Sequence, residues 1–184
     1  MSRKSPLSPS GPRRRLAAAL LLPGLLFLAA GTATGTVYQE PEAFLREVFA
    51  GEVPAPETVW LTGDVERRVT EILGHEYPAL RVRYWRRGGR SAWILEEIGK
   101  EEPITTGIVV DDGRIALVRV LIFRESRGYE VRHSFFTDQF KGAALEDGAR
   151  LDRPIDGITG ATLSVRALTR LARMALYLHG QVAN

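Results

Sequence analysis

The feature of this sequence that most constrains its fold is an aspartate–glycine turn between two runs rich in β-branched residues. Thr106 to Val110 precedes Asp111-Asp112-Gly113, and Ile115 to Phe123 follows it. The backbone of such a turn matches the twist of two antiparallel strands, so the pattern predicts a β-hairpin.

A second hairpin is predicted just upstream. Arg81 to Trp85 alternates polar and apolar residues, Gly88-Gly89 forms a turn, and Ser91 to Leu95 returns. Helical periodicity follows a different spacing and appears in three segments, at Pro41 to Ala50, Asp64 to Leu73, and about Ala161 to Leu178. Two hairpins with helices on one side predict an α+β fold, with residues 80–184 as a single domain behind a helical N-terminal segment, residues 37–79.

The amino-acid composition argues against several classes of function. The 184 residues hold 25 bases and 22 acids, but residues 1–36 contain five of those bases and no acid. The other 20 bases face 22 acids, a net charge of −2, so the folded part lacks the basic excess of a nucleic-acid-binding protein. Without cysteine there is no disulfide, iron–sulfur cluster or thiolate metal site. The three histidines are scattered and are interpreted as surface or loop residues.

The first 36 residues are interpreted as a signal peptide or an N-terminal membrane anchor. Arg13-Arg14-Arg15 precedes an apolar run from Leu16 to Ala30, and the small residues Gly31-Thr32-Ala33 follow. The run is short for a membrane span, which needs about 20 residues. A buried helix is a third interpretation. With the arginines inside, the rest of the chain would be periplasmic or at the outer face of the cytoplasmic membrane.

The segment Asp156 to Ser164, which enters the last predicted helix, carries the chemistry. Its glycines, Gly157 and Gly160, permit backbone conformations that other residues avoid. N–H groups at a helix start, together with the helix dipole, favour a phosphate there, and a hydroxyl at that place can serve as a covalent attachment point. Taken alone, the same residues are also consistent with a capped helix behind a glycine turn.

Asp156 to Thr162 resembles the D-x-x-[ST]-G-A-[ST] flavinylation motif of the FMN-binding domain family. That family includes the C subunit of sodium-translocating NADH:quinone oxidoreductases and the G subunit of Rnf complexes. The resemblance implies that a flavin transferase joins FMN through its phosphate to Thr162. The family aspartate then corresponds to Asp156, the small hydroxyl to Thr159, and the Gly-Ala pair to Gly160 and Ala161.

A second stretch agrees with this resemblance, which covers about residues 90–180. Glu125-Ser126-Arg127-Gly128 is similar to the family's E-T-P-G, with Ser126 and Arg127 in place of Thr-Pro. Glu125, Ser126 and Gly128 are therefore expected near the flavin. Glu125 would accept hydrogen bonds either from the flavin or from loop N–H groups. Ser164 is either a second phosphate contact or a hydroxyl of the first helical turn.

Two further sets of side chains each allow two interpretations. Trp85 and Trp93 are expected in the core of the sheet, although Trp93 could instead stack on the flavin ring. Arg166, Arg170 and Arg173 share one face of the last helix, which is either solvated or a docking patch for an acidic partner or a lipid surface.

The resemblance implies an electron carrier with covalent FMN and a membrane redox partner protein. No acid–base pair or nucleophile arrangement in the sequence indicates that the chain turns over a substrate by itself. A flavin reductase with noncovalent FMN is the alternative enzyme, but no Rossmann glycine fingerprint is present for a nicotinamide donor. A flavin-binding sensor module with noncovalent FMN is the third alternative.

Overall fold

The structure is a computed structural model that describes residues 35–146 and 149–183. All but two residues of the expected signal peptide or membrane anchor therefore lie outside the described residues. In the described part, no helix is both long and apolar enough to cross a bilayer. The predicted fold class is confirmed, because helices pack on one six-stranded sheet whose neighbouring strands are all antiparallel.

The six strands follow the spatial order β1-β6-β5-β4-β3-β2. Their bounds are β1 Thr36–Val37, β2 Glu57–Trp60, β3 Arg81–Arg87, β4 Arg90–Ile98, β5 Pro103–Asp111 and β6 Arg114–Phe123. Both predicted hairpins, β3–β4 and β5–β6, are present at the centre of the sheet. The second one turns through Asp112 and Gly113, whose φ angles of 47° and 77° suit a tight hairpin turn.

The edge strands β1 and β2 come from a part of the chain where the sequence indicated only helices. They are two and four residues long, which is too short to establish a period along the sequence. A small separate ribbon pairs β7, Leu145–Glu146, with β8, Arg150–Leu151. The described residues all belong to one compact unit.

Within the described residues, four α-helices accompany the sheet: α1 Pro41–Val48, α2 Asp64–Leu73, α3 Ser134–Thr137 and α4 Thr162–Val182. Helix α1 has Pro41 in its first turn, where proline loses no hydrogen bond. Helix α2 ends at Gly74, whose φ of 80° is the left-handed conformation typical of a helix end. Helix α4 runs about one turn past its predicted end.

Helices α2 and α4 cover one face of the sheet, and α1 packs on the other, so the expectation of helices on one side only is wrong. Trp93 is fully buried on the α4 side and stacks on Tyr84 with 5.0 Å between ring centroids. The alternative that Trp93 stacks on a flavin is therefore wrong. On the other face, a Cβ on Gly107 would lie 2.6 Å from the Phe44 ring, so α1 approaches the sheet closely only because this residue is glycine.

The three arginines of α4 form neither a fully solvated face nor a docking patch, the two alternatives expected from the sequence. Arg166 is exposed, but Arg170 and Arg173 are partly buried. Arg170 lies 3.7 Å from the buried carboxylate of Glu97, and the Nε of Arg173 donates to the carbonyl of Ala149. Two of the three cations therefore contact the domain itself.

Antiparallel pairing places the end of one strand beside the start of its neighbour. The turns of both hairpins, residues 87–90 and 111–114, lie at one end of the sheet, which we call the hairpin end. Strands β3 and β5 begin, and β4 and β6 finish, at the opposite end. Helix α4 starts at that opposite end and finishes at the hairpin end, where His179 lies 2.7 Å from Ser91.

A cleft at the start of the last helix

A cleft of about 410 Å³ opens where α4 begins. Its walls are the β4–β5 loop, the loop after β6 and the first turn of α4. The lining residues are Lys100, Glu125, Ser126, Arg127, Gly160, Ala161, Thr162, Leu163 and Ser164. We call this side of the sheet the cleft end. Six of the ten residues expected at a flavin site thus line one cavity, although they come from two distant parts of the sequence.

The first turn of α4 leaves its N–H groups without a side-chain cap. Gly160 has a φ of 85°, which lets the chain reverse into the helix. Ala161 occupies the N-cap position and offers no side-chain acceptor. The first intrahelical bond runs from the N–H of Val165 to the Ala161 carbonyl, 2.9 Å away. The N–H of Ala161 donates to the Ile158 carbonyl at 3.0 Å. The N–H groups of the next three residues and the positive end of the helix dipole therefore remain available to an anion.

Thr162 is the first residue of α4, and its side chain is exposed. Its hydroxyl lies at the helix start and on the wall of the cleft.

Gly128 joins the loop after β6 to this helix start. Its φ is 84°, and a Cβ at this position would lie 2.5 Å from the Oγ of Ser164 and 3.5 Å from the Cβ of Ala161. Any other residue would be strained at this φ and would have to displace the Ser164 hydroxyl. Ser164 is 4% exposed, so its contact with Gly128 favours the structural one of its two expected roles.

Glu125 holds the β4–β5 loop against the cleft. One carboxylate oxygen, Oε1, accepts the backbone N–H groups of Lys100, of Glu101 at 2.7 Å and of Glu102 at 3.0 Å. The expectation that Glu125 binds loop N–H groups is thereby confirmed. A Cβ on Gly99 would lie 2.8 Å from the same oxygen, so this glycine is what permits the close approach.

Two cations border the cleft, and they differ in their partners. The Nζ of Lys100 lies 2.7 Å from a carboxylate oxygen of Glu101. Arg127 is exposed, and its guanidinium has no hydrogen-bond or ion-pair partner in the part of the chain that the structure describes. Arg127 is therefore the cation most available to an anionic ligand in the cleft.

Three other expected residues lie farther from the cleft lining. Asp156, Gly157 and Thr159 are exposed on the loop that leads to α4. The backbone N–H of Asp156 donates to Oε1 of Gln139 at 2.7 Å, which fixes this loop to the domain. The conformational argument for Gly157 is wrong, because its φ is not positive and an added Cβ would meet nothing within 4 Å.

Two lining residues, Arg127 and Leu163, were not expected at the site from the sequence. Arg127 stood out only as a departure from the family pattern. Lys100 also lines the cleft, and its loop follows the first hairpin, where the family resemblance implies a glycine-containing loop near the flavin. Among residues 35–146 and 149–183, no three histidine, aspartate or glutamate side chains gather as a metal-binding set.

Comparison with known proteins gives two matches. A family model described as the FMN-binding domain matches residues 99–177, which include every residue that lines the cleft. No curated protein sequence matches the chain. A similar solved structure is the C subunit of the Na(+)-translocating NADH-quinone reductase from Parabacteroides distasonis ATCC 8503, with 20% identity, a TM-score of 0.47, and coverage of 77% of this chain and 82% of that one.

Proposed function

Because the FMN-binding domain model matches residues 99–177 of this chain, we propose that it is an electron-transfer protein whose FMN is attached through a phosphoester to Thr162. The observation that carries the proposal is the position of the Thr162 hydroxyl. It is exposed, lies at an uncapped helix N-terminus and forms part of the cleft wall. That combination suits an acceptor oxygen whose product is an anionic phosphate.

The residues present fit a flavin phosphate. A volume of about 410 Å³ is within the usual range for clefts that hold small molecules. The N–H groups of the first turn supply hydrogen-bond donors, and Arg127 supplies an unpaired cation. When bound, the flavin supplies the redox chemistry, while the protein supplies attachment, orientation and electrostatics.

Attachment is proposed to occur by transfer from FAD, catalysed by a separate flavin transferase with Mg²⁺. The Oγ of Thr162 forms a bond to the flavin-side phosphorus, the pyrophosphate P–O bond breaks, AMP leaves, and the hydroxyl proton passes to solvent. The resulting phosphodiester has one negative charge. Helix N–H groups and the Arg127 guanidinium would stabilise that charge in place.

Asp156 and Thr159 are proposed to serve the transferase rather than the bound flavin. Both are exposed and neither lines the cleft, so their side chains are accessible to another protein. The hydrogen bond from the Asp156 N–H to Gln139 ties this loop to the domain. A short ordered segment ahead of the acceptor is a suitable recognition element for a modifying enzyme.

The proposal is tested by co-expression with a flavin transferase. The peptide that contains Thr162 should gain the mass of FMN less water, and flavin fluorescence should remain with the protein after denaturation. Thr162→Ala should abolish this fluorescence, Thr162→Ser should retain part of it, and Thr159→Ala should lower it less than Thr162→Ala does. Full fluorescence in Thr162→Ala would refute the assignment, whereas flavin that leaves on denaturation would favour a reductase or sensor with noncovalent FMN.

The domain is proposed to work on the outer side of the cytoplasmic membrane, where covalent attachment prevents loss of the cofactor. The basic and apolar order of residues 1–36 supports this location. Its electron donor or acceptor would be a membrane redox protein. A reporter that is active only in the cytoplasm, fused after Asn184, should be silent, and strong activity there would contradict the location.

A further inference from the structure

Large apolar side chains are exposed together at the cleft end of the sheet. Trp60 is 55% exposed, Leu80 is 72% exposed and Ile98 is 48% exposed. They stand at the ends of three neighbouring strands. Trp60 closes β2, Leu80 immediately precedes β3, and Ile98 closes β4. Single exposed apolar residues are ordinary, but a group at one end of a sheet calls for a partner.

Backbone pairing brings the chain segments that carry Trp60 and Leu80 together. Trp60 is the register partner of Arg81, and the N–H of Leu61 donates to the Leu80 carbonyl at 2.9 Å. The Arg81 guanidinium lies over the Trp60 ring at 5.6 Å from its centroid. An indole with an adjacent leucine and arginine is a combination typical of the boundary between lipid and water.

The hairpin end is different. Its two turns, residues 87–90 and 111–114, contain only arginine, glycine and aspartate. None of the large exposed hydrophobic residues of the described part lies in them. Arg90 makes a bidentate pair with Asp111 there, with both N–O distances at 2.7 Å. The hairpin turns therefore present polar side chains, whereas Trp60, Leu80 and Ile98 all lie at the cleft end.

The chain also enters the domain at the cleft end. Thr36 pairs with Phe123, the last residue of β6, and a Cβ on Gly35 would lie 3.1 Å from the Phe123 carbonyl oxygen. The apolar run that ends at Ala30 is separated from Gly35 by only a few residues. Five residues span at most about 18 Å. An anchor in this run would therefore hold the cleft end close to the bilayer surface.

We propose that the cleft end is a lipid-facing surface, on which Trp60, Leu80 and Ile98 enter the interfacial layer of the bilayer and turn the flavin cleft toward the membrane. The inference rests on the proposed membrane anchoring of residues 1–36. Shallow burial of a few apolar side chains is sufficient for a domain that is already tethered.

The contact depends on apolar side chains more than on charge. Lys100, the nearest cation on the β4–β5 loop, is paired with Glu101. Arg81 can extend its charged head to the phosphate layer while its stem stays with the Trp60 ring. Binding is therefore expected to change little between low and high salt, in contrast to a purely electrostatic attachment.

The absence of cysteine makes a direct test possible, because one engineered cysteine can be labelled alone. The full chain is placed in phosphatidylcholine and phosphatidylglycerol vesicles that contain nitroxide-labelled lipid, and an environment-sensitive fluorophore is attached at Leu80→Cys. Gly180→Cys is the matched control at the hairpin end, because this position is exposed and an added Cβ meets nothing within 4 Å. The label at position 80 should be blue-shifted and quenched several-fold more than the label at position 180.

A second variant separates insertion from tethering. Adding Trp60→Ser and Ile98→Ser to Leu80→Cys should reduce the quenching several-fold, although the leader is unchanged. Equal quenching at positions 80 and 180, stronger quenching at 180, or quenching at 80 only when a membrane protein is added would each overturn the proposal. Flavin fluorescence of the denatured protein reports the Thr162 assignment separately, so the two ideas can fail independently.

Discussion

The two ends of helix α4 meet the rest of the domain in opposite ways. At its start, Ala161 leaves the first turn uncapped and Thr162 is exposed beside a cleft. Near its finish, His179 is 5% exposed and both of its ring nitrogens have partners. One end of the helix keeps polar groups available, and the other end has paired them.

The hydrogen bonds at the hairpin end determine the protonation of His179. The backbone N–H of Gly113 donates to its Nε2 at 3.2 Å, so that nitrogen is an acceptor. Nδ1 then bears the proton and donates to the Oγ of Ser91 at 2.7 Å, which also accepts the indole N–H of Trp93 at 2.8 Å. This network links α4 to both hairpins. The comparison indicates that the hairpin end supplies stability, which lets the cleft end keep reactive groups exposed.

The largest difference should come from deleting one side chain at each end of α4. His179→Ala removes a buried ring and leaves Ser91 and Gly113 with unpaired groups, so it should lower the free energy of unfolding by about 2–4 kcal/mol. Thr162→Ala should cost about 1 kcal/mol at most, because alanine is tolerated in a first turn. Urea unfolding measures the free energy of unfolding of both variants. Similar losses of stability in the two would contradict the difference between the two ends of α4.

The next difference in stability concerns one glycine at the cleft end of the sheet and one at the hairpin end. Gly128→Ala places a Cβ 2.5 Å from Ser164 at a φ of 84°, so it should destabilise the domain by about 1–3 kcal/mol and reduce flavin attachment. Gly180→Ala adds a Cβ in open space within α4 and should stabilise the protein by up to about 1 kcal/mol. Thermal unfolding and in-gel fluorescence give both readouts. A Gly128→Ala protein that is as stable as the parent would show that the contact is not required.

A smaller effect is expected from pH at the hairpin end. Burial lowers the pKa of His179, as does the nearby Arg86, while Asp112 and Asp111 oppose this shift. The unfolded chain, with an ordinary histidine pKa of 6.5, therefore binds more protons than the folded one. Stability should be lost as the pH falls below about 6.5 toward the lowered folded pKa. This acid loss should be shallower in His179→Ala, as measured by urea unfolding across that range.

His75, which lies near the cleft end, should show the opposite sign. Hydrogen bonds to the Glu76 carbonyl and to the buried Glu97 carboxylate raise its pKa, partly offset by burial and by Arg170. Its contribution is fully present below pH 6.5 and is lost as the pH rises through the raised folded pKa. The side chain is 42% exposed, so solvent screening keeps the effect small. His75→Ala should therefore steepen the acid loss caused by His179, and an unchanged slope would contradict this account.

The smallest effect should come from the free cation of the cleft. Arg127→Ala should slow flavin attachment by about 2–5-fold, because an exposed charge pair contributes at most about 1 kcal/mol. Arg166→Ala is the matched control, since it removes the same charge from an exposed position of α4 outside the cleft lining. A time course of in-gel fluorescence compares them. Equal rates in the two variants would remove Arg127 from the site.

Much of the fold was predictable because its signals are local. The turn at Asp112-Gly113 and the alternation of β3 determine the two central hairpins through neighbouring residues alone. The edge strands β1 and β2 were not predictable, since their strand character comes from pairing with β6 and β3. The interpretation of His179 as a surface or loop residue was wrong for the same reason, because its burial depends on Ser91 and Gly113, which are distant in sequence.

The sequence by itself determined the motif of this protein, the presence of a glycine turn ahead of the last helix and the choice of Thr162 as the candidate acceptor. Each of these depends on residues within a few positions of one another. Only the tertiary structure decided which groups surround that hydroxyl. Glu125 anchors the β4–β5 loop, Gly128 sets the loop after β6 against Ser164, and Arg127 is thereby brought to the cleft. The reason is physical, since contacts between distant residues depend on how the sheet orders its strands, which no local pattern specifies.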